Sequence, residues 1–163
     1  MSRLVATFLG VGLLPKAPGT WGSLFALPAG WALHLLGGFP LLLAGALAVF
    51  FLGWWATEAT TSGQEDPDLP EIVIDEVAGQ WIALLPLSAL LWWQGAAAWP
   101  LPWLGLLAAF GLFRLFDIWK PGPIGTADRM GTSLGVMLDD VLAGIAAASV
   151  LGVALLLLSG ALA

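Results

Sequence analysis

The chain has 163 residues, 60% hydrophobic and 10% charged, with a net charge of −6 and a mean hydropathy of +0.94. Soluble domains carry roughly 25% charged residues, so this composition describes one integral membrane domain, residues 1–163. The acidic balance excludes nucleic acid as a partner, since its phosphates call for a basic surface. With no cysteine and one histidine, His34, the chain has no thiol nucleophile, no disulfide framework, no Cys-ligated zinc and no mechanism that needs two histidines.

Taken in order, the elements predict an all-α, polytopic membrane helical bundle of about five spans. Residues 2–14 are apolar and end at Pro15. They are too short for a ~30 Å hydrocarbon core, which takes about 20 residues, and read as an interfacial or re-entrant segment. No cleavable signal peptide is expected there. Residues 15–23, PKAPGTWGS, read as a Pro/Gly loop. Residues 22–57 are apolar apart from His34, and Gly37, Gly38 and Pro40 break them into two spans, 22–37 and 40–57. A polar acidic loop at 58–74 leads to a third span at 75–93. A loop at 94–100 leads to a fourth at 101–119, and the polar loop 120–132 to a fifth at 133–159. His34 falls in the apolar far half and reads as structural.

This topology gathers the charges. All 16 charged residues fall on one side or in the helix ends that touch it. Lys and Arg mark the cytoplasmic face, so that side is expected to be cytoplasmic. The Trp at 92, 93, 99 and 103 fit an aromatic belt on the other side. A single long element over 22–57 would split the charges between both sides and ranks lower.

A charge at the centre of a membrane helix costs about 2.5–3.5 kcal/mol on insertion scales. Yet Asp75 and Glu76 open the third span, Arg114 and Asp117 close the fourth, and Asp139 and Asp140 lie about two turns into the fifth, all toward the same side. Asp75 and Glu76 alone fit a helix start, where the dipole favours anions. Arg114, Asp117 and Lys120, three apart, fit ion pairing along one helix face. Asp139–Asp140 fits neither pattern, because adjacent residues point about 100° apart and both lie among Leu, Val and Met. If these carboxylates cluster, their repulsion calls for a divalent cation. Mg²⁺ prefers hard carboxylate oxygens and keeps waters that a substrate phosphate can replace. The Gly-rich stretch 10–23 carries Lys16, Thr20 and Ser23 just where a helix starts, a place whose backbone amides suit phosphate. It lacks the Walker A spacing. Asp66-x-Asp68 lacks the Thr or Val that would follow an aspartyl-phosphate nucleophile.

Three blocks in this order, PKAPGTWGS at 15–23, IVIDEVAG at 72–79, and FRLFDIWKPGPI with DRMGTSLGVMLDDVLAG across 113–144, resemble the phosphatidylglycerophosphatase A family. The resemblance implies a Mg²⁺-dependent bacterial inner-membrane enzyme that removes the terminal phosphate of phosphatidylglycerophosphate at the cytoplasmic face. Asp68 stands seven residues before Asp75, where the family tends to carry an acidic residue. Gly122 and the pair Thr132–Ser133 depart from the family pattern without removing a charge. On this reading Asp68, Asp75, Glu76, Asp139 and Asp140 bind one or two Mg²⁺ ions. Lys16, Arg114, Lys120, Arg129 and the amides near Thr20–Ser23 hold the phosphate. A metal-activated water attacks, with Asp117 as the group that takes or steers its proton; an aspartyl-phosphate intermediate is the alternative. Phosphatidate is an alternative substrate. A non-enzymatic ion or proton pathway would use the same carboxylates, but it would need polar groups through the whole depth, and the far half is apolar. The oligomeric state is open.

Overall fold

The computed structural model describes residues 1–64, 66–95 and 102–161. The described residues are helical throughout, with no strand among them. A short helix α1 (Ser2–Ala6) and a 3-10 turn (Val11–Leu13) precede α2 (Pro18–Thr61), α3 (Ile74–Trp93), α4 (Trp103–Trp119), α5 (Pro123–Asp128) and α6 (Ser133–Ala161). Glu65, residues 96–100 of the predicted loop 94–100 with Trp99 of the expected belt, and residue 101 at the start of the predicted fourth span lie outside the described residues.

α2 is a hairpin. Its backbone leaves helical geometry at Gly37 (φ −155°, ψ 16°) and Gly38 (φ 64°, ψ −157°). The second of these conformations is essentially restricted to glycine, and Trp92 occupies the place a Gly38 side chain would need. Pro40 then sits in the first turn of the second arm, where its missing N–H costs nothing. The arms, 18–36 and 39–61, run back along each other. Gly22 and Gly53 both pack at the level of residues 73–74 of α3, and Gly30 and Gly45 both pack on Trp81. The predicted break is therefore present and reverses the chain. Three helices are long and apolar enough to cross a membrane: Pro18–Thr61, Ile74–Trp93 and Ser133–Ser159. α4 has 17 residues, short of the usual span, so a count of five is not established by length.

Two expectations for the connections are corrected. The helix begins at Pro18, so Thr20 and Ser23 lie inside α2 rather than in a loop. The loop 120–132 contains α5, started by Pro123.

α3 is the central helix, largely buried between α2, α4 and α6. Its approach to α6 depends on small residues. Gly79 faces the Asp140 carbonyl and the Phe113 ring, and Gly144 faces the Gly79 backbone, so neither position has room for a side chain. Small residues let apolar helices come close enough for dense packing. Gly79 follows Glu76 by three residues and Gly144 follows Asp140 by four, so the tight crossing lies directly beneath the carboxylates and brings the two pairs together. His34, at the other end, hydrogen-bonds Ser88 through Nδ1 (2.7 Å) and stacks on Trp31 at 4.7 Å.

Candidate active site

The first turns of α2 and α3, the first two turns of α6 and the last two turns of α4 converge at one end of the bundle around a cavity of about 250 Å³. Seven carboxyl groups line it, those of Asp68, Asp75, Glu76, Asp117, Asp128, Asp139 and Asp140, against two cations, Arg114 and Lys120. Asp75, Glu76, Asp117, Asp139 and Asp140 are all buried. Both aspartates of the 139–140 pair face inward, Asp139 6% exposed and Asp140 3%.

Each pair of adjacent acids is organised in the same way. Asp75 Oδ1 accepts the Glu76 backbone N–H (2.8 Å), and Asp139 Oδ1 accepts that of Asp140 (3.0 Å). The first acid of each pair is thus tied to its own helix, and the second, Glu76 or Asp140, reaches across the cavity. Asp117 joins them from α4: one oxygen from each of Glu76, Asp117 and Asp140 lies within 4.8 Å of the others. Around this trio, Ser23 Oγ donates to Glu76 Oε2 (2.6 Å). Arg114 Nη1 donates to Glu76 Oε1 and Oε2 (2.6 and 2.7 Å) and pairs with Asp117 Oδ2 (2.7 Å). Gly19 leaves the room that the Glu76 carboxylate fills.

At the cavity rim Lys120 adopts the left-handed conformation (φ 47°, ψ 51°) that ends α4, a conformation costing an L-residue roughly 1–2 kcal/mol. Its ammonium reaches Asp139 Oδ2 (2.7 Å) and Asp128. The expected Asp117–Lys120 pairing is replaced by these two bonds. Burial alone would lower the Lys120 pKa; the hydrogen bonds to Asp128 and Asp139 outweigh it and hold the pKa above the ordinary lysine value. Asp68 is shifted upward, chiefly by burial, with Lys120 opposing and Asp66, Asp128 and Asp117 adding to the rise.

The structure brings together most of the expected site residues, with different partners for some. Asp68, Asp75 and Asp139 line the cavity outside the trio, and Asp117, expected to handle a proton, is inside it. Ser23 is committed to Glu76 rather than free for a ligand. Thr20 does not line the cavity. Lys16 faces a neighbouring cavity with Gln64 and Glu71, beyond Pro18, Leu69 and Pro70. Arg129 faces another with Asp66 and Gly131. Two functional positions escaped the sequence reading. Asp128, inside the polar loop between two site-bearing helices, anchors Lys120; its signal was a lone acid beside Arg129. Gly19 makes room for Glu76, a role visible only from the neighbouring helix.

Fold and cavity together define a helical, membrane-associated protein with a carboxylate-lined cavity at one end of its bundle. A family model of phosphatidylglycerophosphatase A matches residues 4–155. The chain is 40% identical over 144 residues to phosphatidylglycerophosphatase A of Haemophilus influenzae, covering 88% of this chain and 82% of that protein. It is 34% identical over 150 residues to phosphatidylglycerophosphatase A of Escherichia coli, covering 91% and 80%. It is also 40% identical over 149 residues to a Bacteroides thetaiotaomicron protein whose name, given provisionally, is phosphatidylinositol-3-phosphatase, covering 87% and 86%. No solved structure matches it. The chain belongs to the phosphatidylglycerophosphatase A family and is a phosphatase.

Proposed function

We propose that this phosphatase hydrolyses phosphatidylglycerophosphate to phosphatidylglycerol and phosphate with Mg²⁺, as a single multi-pass domain of the bacterial inner membrane whose cavity opens to the cytoplasm. The names of the relatives from Haemophilus influenzae and Escherichia coli support the substrate. The two α2 arms, α3, α4 and α6 supply the five spans of this reading, with the basic residues at the cavity end as its orientation signal.

The observation that carries the metal is the imbalance of seven carboxyls against two cations in one largely buried cavity. Buried charge without compensation is costly. Glu76, Asp117 and Asp140 offer an all-oxygen donor set of the kind Mg²⁺ takes, and they would hold it. When bound, such an ion offsets phosphate charge and acidifies water. The chain's own groups do the rest. Ser23 and Arg114 fix Glu76. Arg114 engages the carboxylates through Nη1, leaving the rest of its planar fork for a phosphate oxygen. Lys120 adds a point charge at the rim. Asp117 is committed to Arg114 and the trio, so the role of proton acceptor from the attacking water falls to Asp75, which lines the cavity outside both.

Purified protein in detergent is expected to release inorganic phosphate from phosphatidylglycerophosphate with Mg²⁺ and to stop on addition of EDTA. No release from any lipid phosphomonoester by folded, metal-supplied protein overturns the reading. Acid quench during turnover of lipid radiolabelled in its terminal phosphate is expected to trap no phosphorylated protein; a trapped aspartyl phosphate rejects direct water attack. The Bacteroides thetaiotaomicron relative favours one second reading, a phosphoinositide monoester substrate, and the ratio of kcat/KM for the two lipids decides between them.

A further inference from the structure

A second, wholly apolar groove of about 530 Å³ runs down the side of the bundle between the first arm of α2 and α4. Its α2 wall includes Trp21, Phe25, Pro28 and Leu35, which recur at helical spacing and so share one face. From Trp21 to Leu35 the wall is roughly 21 Å long at 1.5 Å per residue, more than one leaflet of a ~30 Å core. Trp31 and Leu106 are buried and form the floor, while Trp21, Phe25 and Leu107 stay exposed. α4 packs chiefly on α6 and α3, which leaves this side of α2 open.

The groove leads to the acidic cavity along both walls. Pro18, one turn before Trp21, lines that cavity. On α4, Leu107 in the groove and Arg114 in the cavity are seven residues apart and share a face. Between them stands Gly111, with no atom within 4 Å of where its side chain would begin, so the strip joining groove and cavity is open. A concave apolar channel that ends at a phosphate-sized polar cavity matches a lipid phosphomonoester in shape and in polarity.

We infer that this groove seats one acyl chain of the lipid whose phosphate enters the acidic cavity. The inference rests on the phosphatase reading above. In a bilayer the chain gains little by leaving other lipid tails, so the groove acts by orientation: it aligns the glycerol end with the cavity and converts a diffusing lipid into a positioned one.

The test uses the whole protein in mixed micelles with two forms of the same phosphatidylglycerophosphate, dipalmitoyl and dihexanoyl. Ala32 and Leu35 line the deep end, which the palmitoyl chain reaches and the hexanoyl chain does not. Ala32→Phe, and separately Leu35→Trp, are expected to lower kcat/KM for the dipalmitoyl lipid at least tenfold while changing that for the dihexanoyl lipid less than twofold. Gly111→Leu, at the neck, is expected to lower both. If both deep variants keep wild-type melting and the wild-type ratio between the two lipids, the groove is only surface wetted by bulk lipid and the inference is overturned with the phosphatase reading intact. If wild-type protein hydrolyses neither lipid, both readings fall together.

Discussion

Ser23 on α2 donates its hydroxyl proton to Glu76 on α3 across 2.6 Å, in a buried contact between residues 53 apart in sequence. Glu76 is also held by Arg114 from α4, so one carboxylate joins three helices. Ser23→Ala removes the neutral partner and leaves a buried carboxylate oxygen short of a donor. Hydrogen bonds to charged groups contribute about 1.5–3 kcal/mol, and a loss of that size is expected in denaturation. kcat/KM should fall about tenfold or more as Glu76 loses its fixed orientation. Wild-type melting and turnover would show that Arg114 alone positions Glu76.

The trio is expected to behave as one cation site. Glu76→Gln, Asp117→Asn and Asp140→Asn should each abolish turnover and remove the Mg²⁺-dependent rise in melting temperature. Binding to the native state alone adds about 2.7 kcal/mol at a hundredfold excess over Kd. A variant that keeps the full Mg²⁺-dependent shift is not a ligand, and calorimetric titration of Mg²⁺ into each variant decides which of the three are.

Lys120 holds Asp139 and Asp128 at the rim. Its pKa is raised in the fold, so its stabilising contribution is complete below the ordinary lysine value of 10.5 and is lost only as pH climbs through the raised one. Lys120→Met is therefore expected to cost about 1–3 kcal/mol at pH 8 and the same at pH 9.5, where its carboxylate partners are ionised and Lys120 itself is still charged. No penalty at either pH would mean that the bond to Asp139 contributes nothing to the fold.

Asp68 is unfavourable to the fold at neutral pH, where Lys120 is favourable. Its pKa is raised, chiefly by burial, so its contribution to folding is best below the ordinary value of 3.8 and is lost as pH rises through the shifted value. In EDTA at neutral pH, Asp68→Asn should melt higher than wild type, with the difference shrinking as pH falls. In saturating Mg²⁺ the order should reverse if Asp68 contributes to the cation site, and melting curves under the two conditions separate those roles.

Gly144→Val places a side chain against the Gly79 backbone at the α3–α6 crossing. Overpacking there is expected to cost about 1–3 kcal/mol and to lower kcat by separating Glu76 from Asp140. Gly111→Ala, in open space on α4, serves as the control and should leave stability unchanged or slightly raised.

The helical class, the break at Gly37–Gly38 and the gathering of charge at one end were legible in the chain itself. Hydropathy and Gly/Pro punctuation act locally, and a carboxylate in an apolar helix marks itself by its cost. The residues of the site were legible as types for the same reason. Their partnerships were not. Ser23 with Glu76, Lys120 with Asp139 instead of Asp117, and Asp117 within the trio all join separate helices. The depth and rotation of each helix decide these pairs, and both are set by where backbones approach most closely. Gly79 and Gly144 set that approach between α3 and α6, and nothing in the linear order of residues says which glycine will meet which helix. Lys16 and Arg129 show the converse: the right charge at the right end of the bundle, yet turned by the local backbone into neighbouring cavities. Sequence determined which chemistry the protein carries and at which end, because composition and periodicity are properties of each segment alone; tertiary structure decided which groups touch, because contact depends on the packing of segments against one another.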